Sequence, residues 1–333
     1  MTTHALITGG AGFIGSHIAQ CLITEGHVDN VVLLDHFGRY TDSARPGFTD
    51  YRSLRLKPVE DRVIVERGEP KFGALLVRLL NRYRPKYIFH LAALPLAKPN
   101  NLNVEEAREG SVDATGSLLE MINELSQING YHPERFIYAS SSMVYGDFVT
   151  DPATEEHPTN PKEVYGTMKL GGEIVTRGLG NFFNIPFAIV RPSAVYGPTD
   201  MNRRVSQIFI EKALRGEKLN VQGAQEALDF TYIKDIARGF VLAATRPKGA
   251  GETFNITAGH AATLLDFVKC IQEHVPGVKY EITERDAFRP KRGTLSIEKA
   301  RKLIGYEPQY TLSKGVAEYV AFMREHLLLP AEH

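Results

Sequence analysis

Thr8-Gly9-Gly10-Ala11-Gly12-Phe13-Ile14-Gly15-Ser16-His17 carries three glycines at a spacing of three. It follows the apolar run Ala5-Leu6-Ile7 and opens a helically spaced series, Ile14, Ile18, Ala19, Leu22 and Ile23. The pattern predicts a strand, a glycine turn and a helix. Gly9 permits the tight exit from the strand, Gly12 lets a pyrophosphate approach the backbone, and Gly15 lets the helix pack close to the sheet. The helix N-terminus then offers free N–H groups and a positive dipole end to phosphates. The spacing is GxxGxxG, and a glycine triplet alone is a weak signal because glycine turns are common. Support comes from Asn30-Val31-Val32-Leu33-Leu34-Asp35, a second strand ending in an acid twenty residues after Gly15. An acid there accepts from a ribose 2′-OH and repels a 2′-phosphate, with His36 and Arg39 close behind it as possible opposing cations. Dinucleotide binding follows, with NAD preferred to NADP.

The same alternation continues outward from that unit. After a long polar and aromatic loop from His36 to Asp61, containing Arg39, Tyr40, Pro46 and Tyr51, strands are expected at 63–66, 87–91 and 135–140. Helices are expected at about 72–82 and 104–129. Repeated βα units of this length imply a parallel sheet with helices on both faces and ligands at the strands' carboxyl ends. The second half is less regular. It predicts helices at 164–183, 203–215, 233–245, 264–275 (with Thr263 as N-cap), 296–304 and 312–328, and strands at 187–191, 253–256 and 280–282. The expected architecture is therefore α/β, a Rossmann-type doubly wound parallel sheet over residues 1–170, with segments returning near 187–197 and 229–246. Residues 171–333 form mainly a smaller C-terminal α/β substrate lobe.

Bulk properties restrict the function classes. Of 333 residues, 43% are hydrophobic, which allows a large core, and Lys plus Arg balance Asp plus Glu at 39 each. Nothing in that balance points to nucleic acid or a charged membrane surface as a partner. Cys21 and Cys270 lie far apart in apolar helical patterns and in no metal-spaced motif, so buried thiols and no metal are expected. No signal peptide is evident, and no apolar run reaches the roughly 18 residues needed to span a bilayer. A soluble cytoplasmic protein is the expectation.

Tyr165-Gly166-Thr167-Met168-Lys169 places a phenol and an ammonium four residues apart on one helix face. A phenol of ordinary pKa is a poor base at neutral pH, and a nearby ammonium favours phenolate. Such a tyrosine can take a hydroxyl proton while hydride leaves the same carbon. Upstream, the strand from Arg135 runs into Ser140-Ser141-Ser142-Met143-Val144-Tyr145-Gly146. A hydroxyl at that strand end would point into the crevice, able to bond a substrate oxygen or merely to cap the turn.

Together these segments resemble the extended short-chain dehydrogenase/reductases, in the NAD-dependent epimerase/dehydratase group that acts on nucleotide sugars. Also similar are His90-Leu91-Ala92-Ala93, Arg191-Pro192-Ser193-Ala194-Val195-Tyr196-Gly197-Pro198 and Asp229-Phe230-Thr231-Tyr232-Ile233. The resemblance covers nearly the whole chain. It implies a catalytic set of Ser141, Tyr165 and Lys169, with Tyr165 as base and Ser142 as the alternative serine. It implies NAD contacts from Gly9, Gly12, Phe13, Ile14, Gly15, Asp35 and His36. It adds Glu69 (where an Asp often holds adenine), Leu91, Ala92, Ala93, Tyr165 and Lys169, and treats His90 as a packed strand-end residue. Substrate contacts are implied from Ser142, Met143, Arg204, Arg289 and Arg292, the arginines facing a diphosphate. A homodimer through the helices near 104–126 and 164–183 is also implied.

The departures from the family pattern narrow the chemistry. The 4,6-dehydratases carry Asp-Glu, and the sugar-acid decarboxylases a Glu, where this chain has Ser142-Met143. Ala194 and Leu228 stand where Asn and Arg commonly bind substrate, and Ser111 replaces a common Asn. What remains is redox at one carbon. Epimerisation of a nucleotide sugar, by way of a transient 4-keto sugar, is the first expectation. A net dehydrogenase or reductase, on a nucleotide sugar or a smaller hydroxy substrate, is the alternative, since residues 165–173 also resemble the threonine-dehydrogenase branch. A non-enzymatic NAD-binding regulator is disfavoured by the intact Ser141, Tyr165 and Lys169.

Overall fold

The computed structural model describes residues 2–38, 49–93, 103–285 and 289–327. Arg39, Tyr40 and Pro46 of the long loop lie outside them. Seven parallel strands form the central sheet: β1 (His4–Thr8), β2 (Asn30–Asp35), β3 (Val63–Arg67), β4 (Tyr87–His90), β5 (Arg135–Ala139), β6 (Phe187–Pro192) and, near the C-terminal third, β9 (Glu252–Ile256). Their order is β3-β2-β1-β4-β5-β6-β9. The order reverses between β1 and β4, so a crevice opens at their carboxyl ends, beside Thr8 and His90.

Alternate residues of each strand feed two separate cores, which is why the strands read as unbroken apolar runs. Ala5, Ile7, Val31, Leu33 and Val190 face one side, and Leu6, Val32, Leu34, Ile88 and Ile189 face the other. The first side is covered by α1 (Phe13–Thr24) and α8 (Ile233–Thr245). The second is covered by α3 (Gly73–Tyr83) and α5 (Ala114–Asn129). Each fully buried leucine or isoleucine contributes about 1.5–3 kcal/mol.

The predicted helix over 104–129 is interrupted. It begins as α4 (Val104–Arg108), widens into a π turn over Glu109–Asp113, and continues as α5. The π turn carries Ser111, whose carbonyl accepts from Tyr138 Oη at 3.4 Å. Beside it runs α6 (Val164–Phe182). The Gly171-Gly172 pair inside α6 has a packing reason: a methyl at Gly172 would stand 2.0 Å from Tyr138 Oη. Only glycine lets α6 lie this close to β5.

The loop 36–61 contains α2 (Arg52–Leu56) and a 3₁₀ turn over Lys57–Arg62. Strand 252–256, outside the expected returning segments, pairs in parallel with β6 and closes the main sheet. A cut at residue 170 also falls inside α6, whose remainder stays with the first layer stack.

The remaining elements are α7 (Val205–Leu214), β7 (Leu219–Gln222), β8 (Ala227–Leu228), β10 (Ala262–Thr263), α9 (Leu264–His274), β11 (Tyr280–Thr283), α10 (Glu298–Ile304) and α11 (Leu312–His326). They make two small two-stranded sheets, β7 with β11 and β8 with β10, packed among helices. Thr263 caps α9 reciprocally: its hydroxyl accepts from Asp266 N at 3.0 Å, and the Asp266 carboxylate accepts from Thr263 N at 3.1 Å. Cys21 and Cys270 form no disulfide. No helix among the described residues is long and apolar enough to cross a membrane.

Candidate active site

A cavity of about 700 Å³ runs along the carboxyl ends of the strands, between the sheet and the C-terminal elements. One end is the glycine turn. Gly9 has φ +68°, a conformation that favours glycine, and a methyl on it would lie 3.0 Å from Ala92 N. A methyl on Gly12 would meet Gly9 O at 2.9 Å, and one on Gly15 would meet it at 2.7 Å. The turn is thus packed on itself with no side chain between α1 and the cavity. Gly12 is the N-cap of α1, with no side-chain cap and no acid in the first turn. The first N–H groups of α1 are left for an anion, as a pyrophosphate requires.

Asp35 closes the neighbouring side of the cavity. Its carboxylate accepts from Ala11 N at 3.0 Å and from Phe37 N at 2.7 Å, which fixes it at the cavity wall. Lone pairs remain for a ribose hydroxyl. His36, Leu91, Ala92 and Ala93 line the same wall. Glu69 stands apart. Its neighbours Gly68 and Pro70 line the cavity, while its own carboxylate turns outward to Lys71 at 3.2 Å. The cradle, the acid and the bare helix end together fit a dinucleotide.

Ser141, Tyr165 and Lys169 meet deeper in the cavity. Glu163 starts α6 by accepting from Tyr165 N at 2.8 Å and Gly166 N at 2.7 Å, which sets the tyrosine at the first turn. Ser141 has a double role. Its Oγ accepts from Met143 N at 3.2 Å, capping the 3₁₀ turn Ser142–Tyr145, and its hydroxyl lies on the same cavity wall as the Tyr165 phenol. Ser142 and Met143 line the wall beside it.

Lys169 is 3% exposed and donates to the Ala139 carbonyl at 2.6 Å. Burial lowers its pKa to about 7, against the opposing pull of Glu173. Glu173 is fully buried and accepts from Arg191 Nε at 2.8 Å, Arg191 Nη2 at 2.7 Å and Ser140 Oγ at 2.5 Å. Burial pushes the Tyr165 phenol above its ordinary value, while the Arg204 charge and the Ser141 hydroxyl pull it down. His90 is 1% exposed, hydrogen-bonded to Thr8 Oγ1 at 2.7 Å through Nδ1, and does not line the cavity.

The far end holds Arg204, Arg289 and Arg292, with Ala194, Leu228, Phe230 and Leu264 as apolar wall. Arg292 Nε is a buried donor without a partner among the described residues. Burial and the neighbouring Arg289 lower its pKa to about 10, with Glu226 and Glu163 opposing. An anion there would relieve that clustering of positive charge. Arg55, Asn202, Gln222 and Glu226 also line the cavity and were not singled out from sequence. Arg55 sits in a polar segment with no periodicity, where an arginine reads as solvated.

Comparison with known proteins agrees with this geometry. The family model described as "NAD dependent epimerase/dehydratase family" matches residues 5–257. The chain is 31% identical to the uncharacterized UDP-glucose epimerase YtcB of Bacillus subtilis, over 96% of this chain and 97% of that one. It is 27% identical to the UDP-glucose 4-epimerase of Mycolicibacterium smegmatis, over 96% and 98%. The crystal structure of UDP-glucuronic acid 4-epimerase from Bacillus cereus, in complex with UDP-glucuronic acid and NAD, superposes with a TM-score of 0.85 at 27% identity, covering 97% and 99%. On its sequence, its sheet order and its glycine-turn cavity, this chain belongs to the NAD-dependent epimerase/dehydratase family.

Proposed function

We propose that the protein is an NAD-dependent nucleotide-sugar epimerase that inverts C4 of a hexose through a transient 4-keto sugar. The observation that carries this reading is the convergence of Ser141, Tyr165 and Lys169 on one cavity wall, with Ser142 and Met143 completing it. A second acid and base, as elimination of water requires, is missing from those two positions. When bound, NAD supplies the acceptor and then the donor of a hydride. Tyr165 takes the proton of the substrate hydroxyl and later returns it. Ser141 holds the same oxygen. Lys169 and Arg204 favour the ionised phenol, and Lys169 would also hold the cofactor's nicotinamide ribose. Gly9, Gly12, Phe13, Ile14 and Gly15 seat the pyrophosphate, Asp35 the adenosine ribose, and Arg204, Arg289 and Arg292 the substrate's diphosphate.

The test uses substrate deuterated at C4 and no added cofactor. Retention of deuterium in the epimer, with no lasting NADH absorbance, is expected. Stoichiometric NADH with a released ketone would make the protein a dehydrogenase instead. A 4-keto-6-deoxy sugar or carbon dioxide, found by mass spectrometry, would equally overturn the reading.

The division of labour we propose is a cofactor domain over residues 1–182 with β6, α8 and β9, and a substrate lobe made from the rest. We also propose a homodimer through α5 and α6. Support comes from Ile174 and Phe182, 62% and 82% exposed and two turns apart on α6, and from Ile128, 75% exposed on α5. Light scattering should give twice the chain mass, and Phe182→Glu should halve it. A cytoplasmic setting, which we propose as well, suits two unpaired cysteines.

A further inference from the structure

Arg55 joins the two ends of the site. It lies on α2, is 3% exposed, and makes no ion-pair contact among the described residues. Its guanidinium spends three bonds on two distant carbonyls instead. Nη1 donates to Ala11 O at 3.0 Å, while Nε and Nη2 donate to Thr199 O at 3.2 and 2.5 Å. Ala11 is in the glycine turn, and its N–H is the group held by Asp35. Both polar groups of that one residue are therefore fixed, one by the acid at the ribose side and one by Arg55.

Thr199 begins the loop that delivers Arg204. The loop is held in an unfavourable backbone conformation, with φ +71° at Thr199 and +56° at Arg203. Its other ties are Asn202 N to Asp200 Oδ1 at 3.0 Å within the loop, Arg203 N to Gln207 Oε1 at 2.8 Å and the Arg203–Glu211 ion pair at 2.5 Å onto α7, and Tyr51 N to Met201 Sδ at 3.1 Å. Arg204 then reaches back to the Val195 carbonyl at 3.0 Å and lines the cavity with Tyr165. Asp200 is fully buried and its charge faces Arg55, as do those of Asp50, Arg52 and Asp35. A strained loop of this kind persists only where its surroundings hold it. Arg55 is the hold that also touches the cofactor turn.

We propose that Arg55 is a positioning residue that couples cofactor binding at the glycine turn to the setting of loop 199–204, and through Arg204 to substrate binding. The planar fork of guanidinium donors makes the coupling possible: it cannot follow one carbonyl without turning away from the other. Fixing Ala11 on a bound pyrophosphate fixes the fork, and the fork fixes Thr199. The cofactor half of this proposal needs only a dinucleotide. The substrate half rests on the nucleotide-sugar reading.

The test is hydrogen exchange by mass spectrometry on the full chain, stripped of cofactor and then with NAD added. In the wild type, NAD should slow exchange in segment 9–16 and in segment 199–204 together. In Arg55→Lys, which keeps the charge opposite Asp200 but loses the fork, NAD should still protect 9–16 and leave 199–204 unprotected. Should Arg55→Lys fail to fold by circular dichroism, Arg55→Gln takes its place, since a single short amide cannot hold the Ala11 and Thr199 carbonyls together. Its expected result is the same. Protection of 199–204 by NAD in these variants as in the wild type, or none in the wild type while 9–16 is protected, would overturn the proposal. Calorimetry with UDP adds the substrate half. NAD should raise UDP affinity about 10-fold in the wild type, within the usual range of coupling, and leave it unchanged in the variant. Absence of UDP binding to either protein would count against the nucleotide-sugar reading alone, because the exchange result still judges the coupling.

Discussion

The Lys169 ammonium lies 5.9 Å from the centre of the Tyr165 ring, one helical turn along α6, and donates to the Ala139 carbonyl at 2.6 Å. The lysine is thus anchored to the end of β5 while its charge stays within reach of the phenol. Tyr165→Phe removes only the hydroxyl from this arrangement. It should fold, bind NAD as the wild type does, and lose about 10²–10⁴-fold in kcat, the usual cost of a missing general base. A loss under about 5-fold, read from steady-state kinetics, would remove Tyr165 from its role. Ser141→Ala should cost less, since one hydrogen bond to the reacting oxygen is lost.

Lys169 predicts a stability effect of definite sign. Burial holds its pKa at about 7 in the folded protein, while Glu173 opposes; Tyr165, Tyr138 and His90 also face it. The unfolded chain keeps the ordinary lysine value, so between pH 7 and about 10.4 it binds more protons than the native state. Stability from this group therefore rises with pH across that window. Urea unfolding of the ligand-free wild type and of Lys169→Met at several pH values isolates the term. The wild type should gain on the variant by up to about 1.4 kcal/mol per pH unit. Parallel curves would contradict the buried, partly neutral lysine.

Asp35 should make the protein prefer NAD to NADP. Its carboxylate is fixed by Ala11 N and Phe37 N, so it cannot turn away from a 2′-phosphate. Titration calorimetry should give NAD binding at least about 10-fold tighter, a difference of about 1.4 kcal/mol. Asp35→Ala should lose most of that discrimination and also weaken NAD, because the two backbone donors lose their acceptor. Tighter binding of NADP to the wild type would show that a neighbouring cation outweighs the acid.

Glu173 and Arg191 form the most deeply buried ion pair beneath the site among the described residues, with side chains 0% and 3% exposed. Removing one member leaves a buried charge without a partner, which typically costs 3–5 kcal/mol. Glu173→Gln should lower stability by about that amount in denaturant unfolding, with Arg191 Nη1 still held by Tyr145 Oη at 2.9 Å. Replacing both residues by methionine and leucine should cost less than the single change. A single variant as stable as the wild type would mean that Arg191 finds water instead.

Features that are local or periodic were legible in the residues alone. The glycine turn, the strand ending in Asp35, the Tyr165–Lys169 spacing on α6 and the alternating βα units are each contained within a few turns of chain. Their backbone requirements are satisfied by near neighbours, so residue type and spacing suffice. The family pattern carried Ser141, Arg204, Arg289 and Arg292 into one site, and the structure lines a single cavity with all four. Other features depend on partners distant in sequence and emerge on folding. Strand 252–256 becomes part of the main sheet because β6 offers it an open edge, a pairing that no local pattern encodes. Glu69 turns from the cavity because Lys71 draws its carboxylate outward. Arg204 lines the same cavity as Tyr165 because a strained loop delivers it there. Arg55, whose Thr199 partner is 144 residues away, is buried by bonds to backbone carbonyls, and carbonyls leave no mark in a sequence.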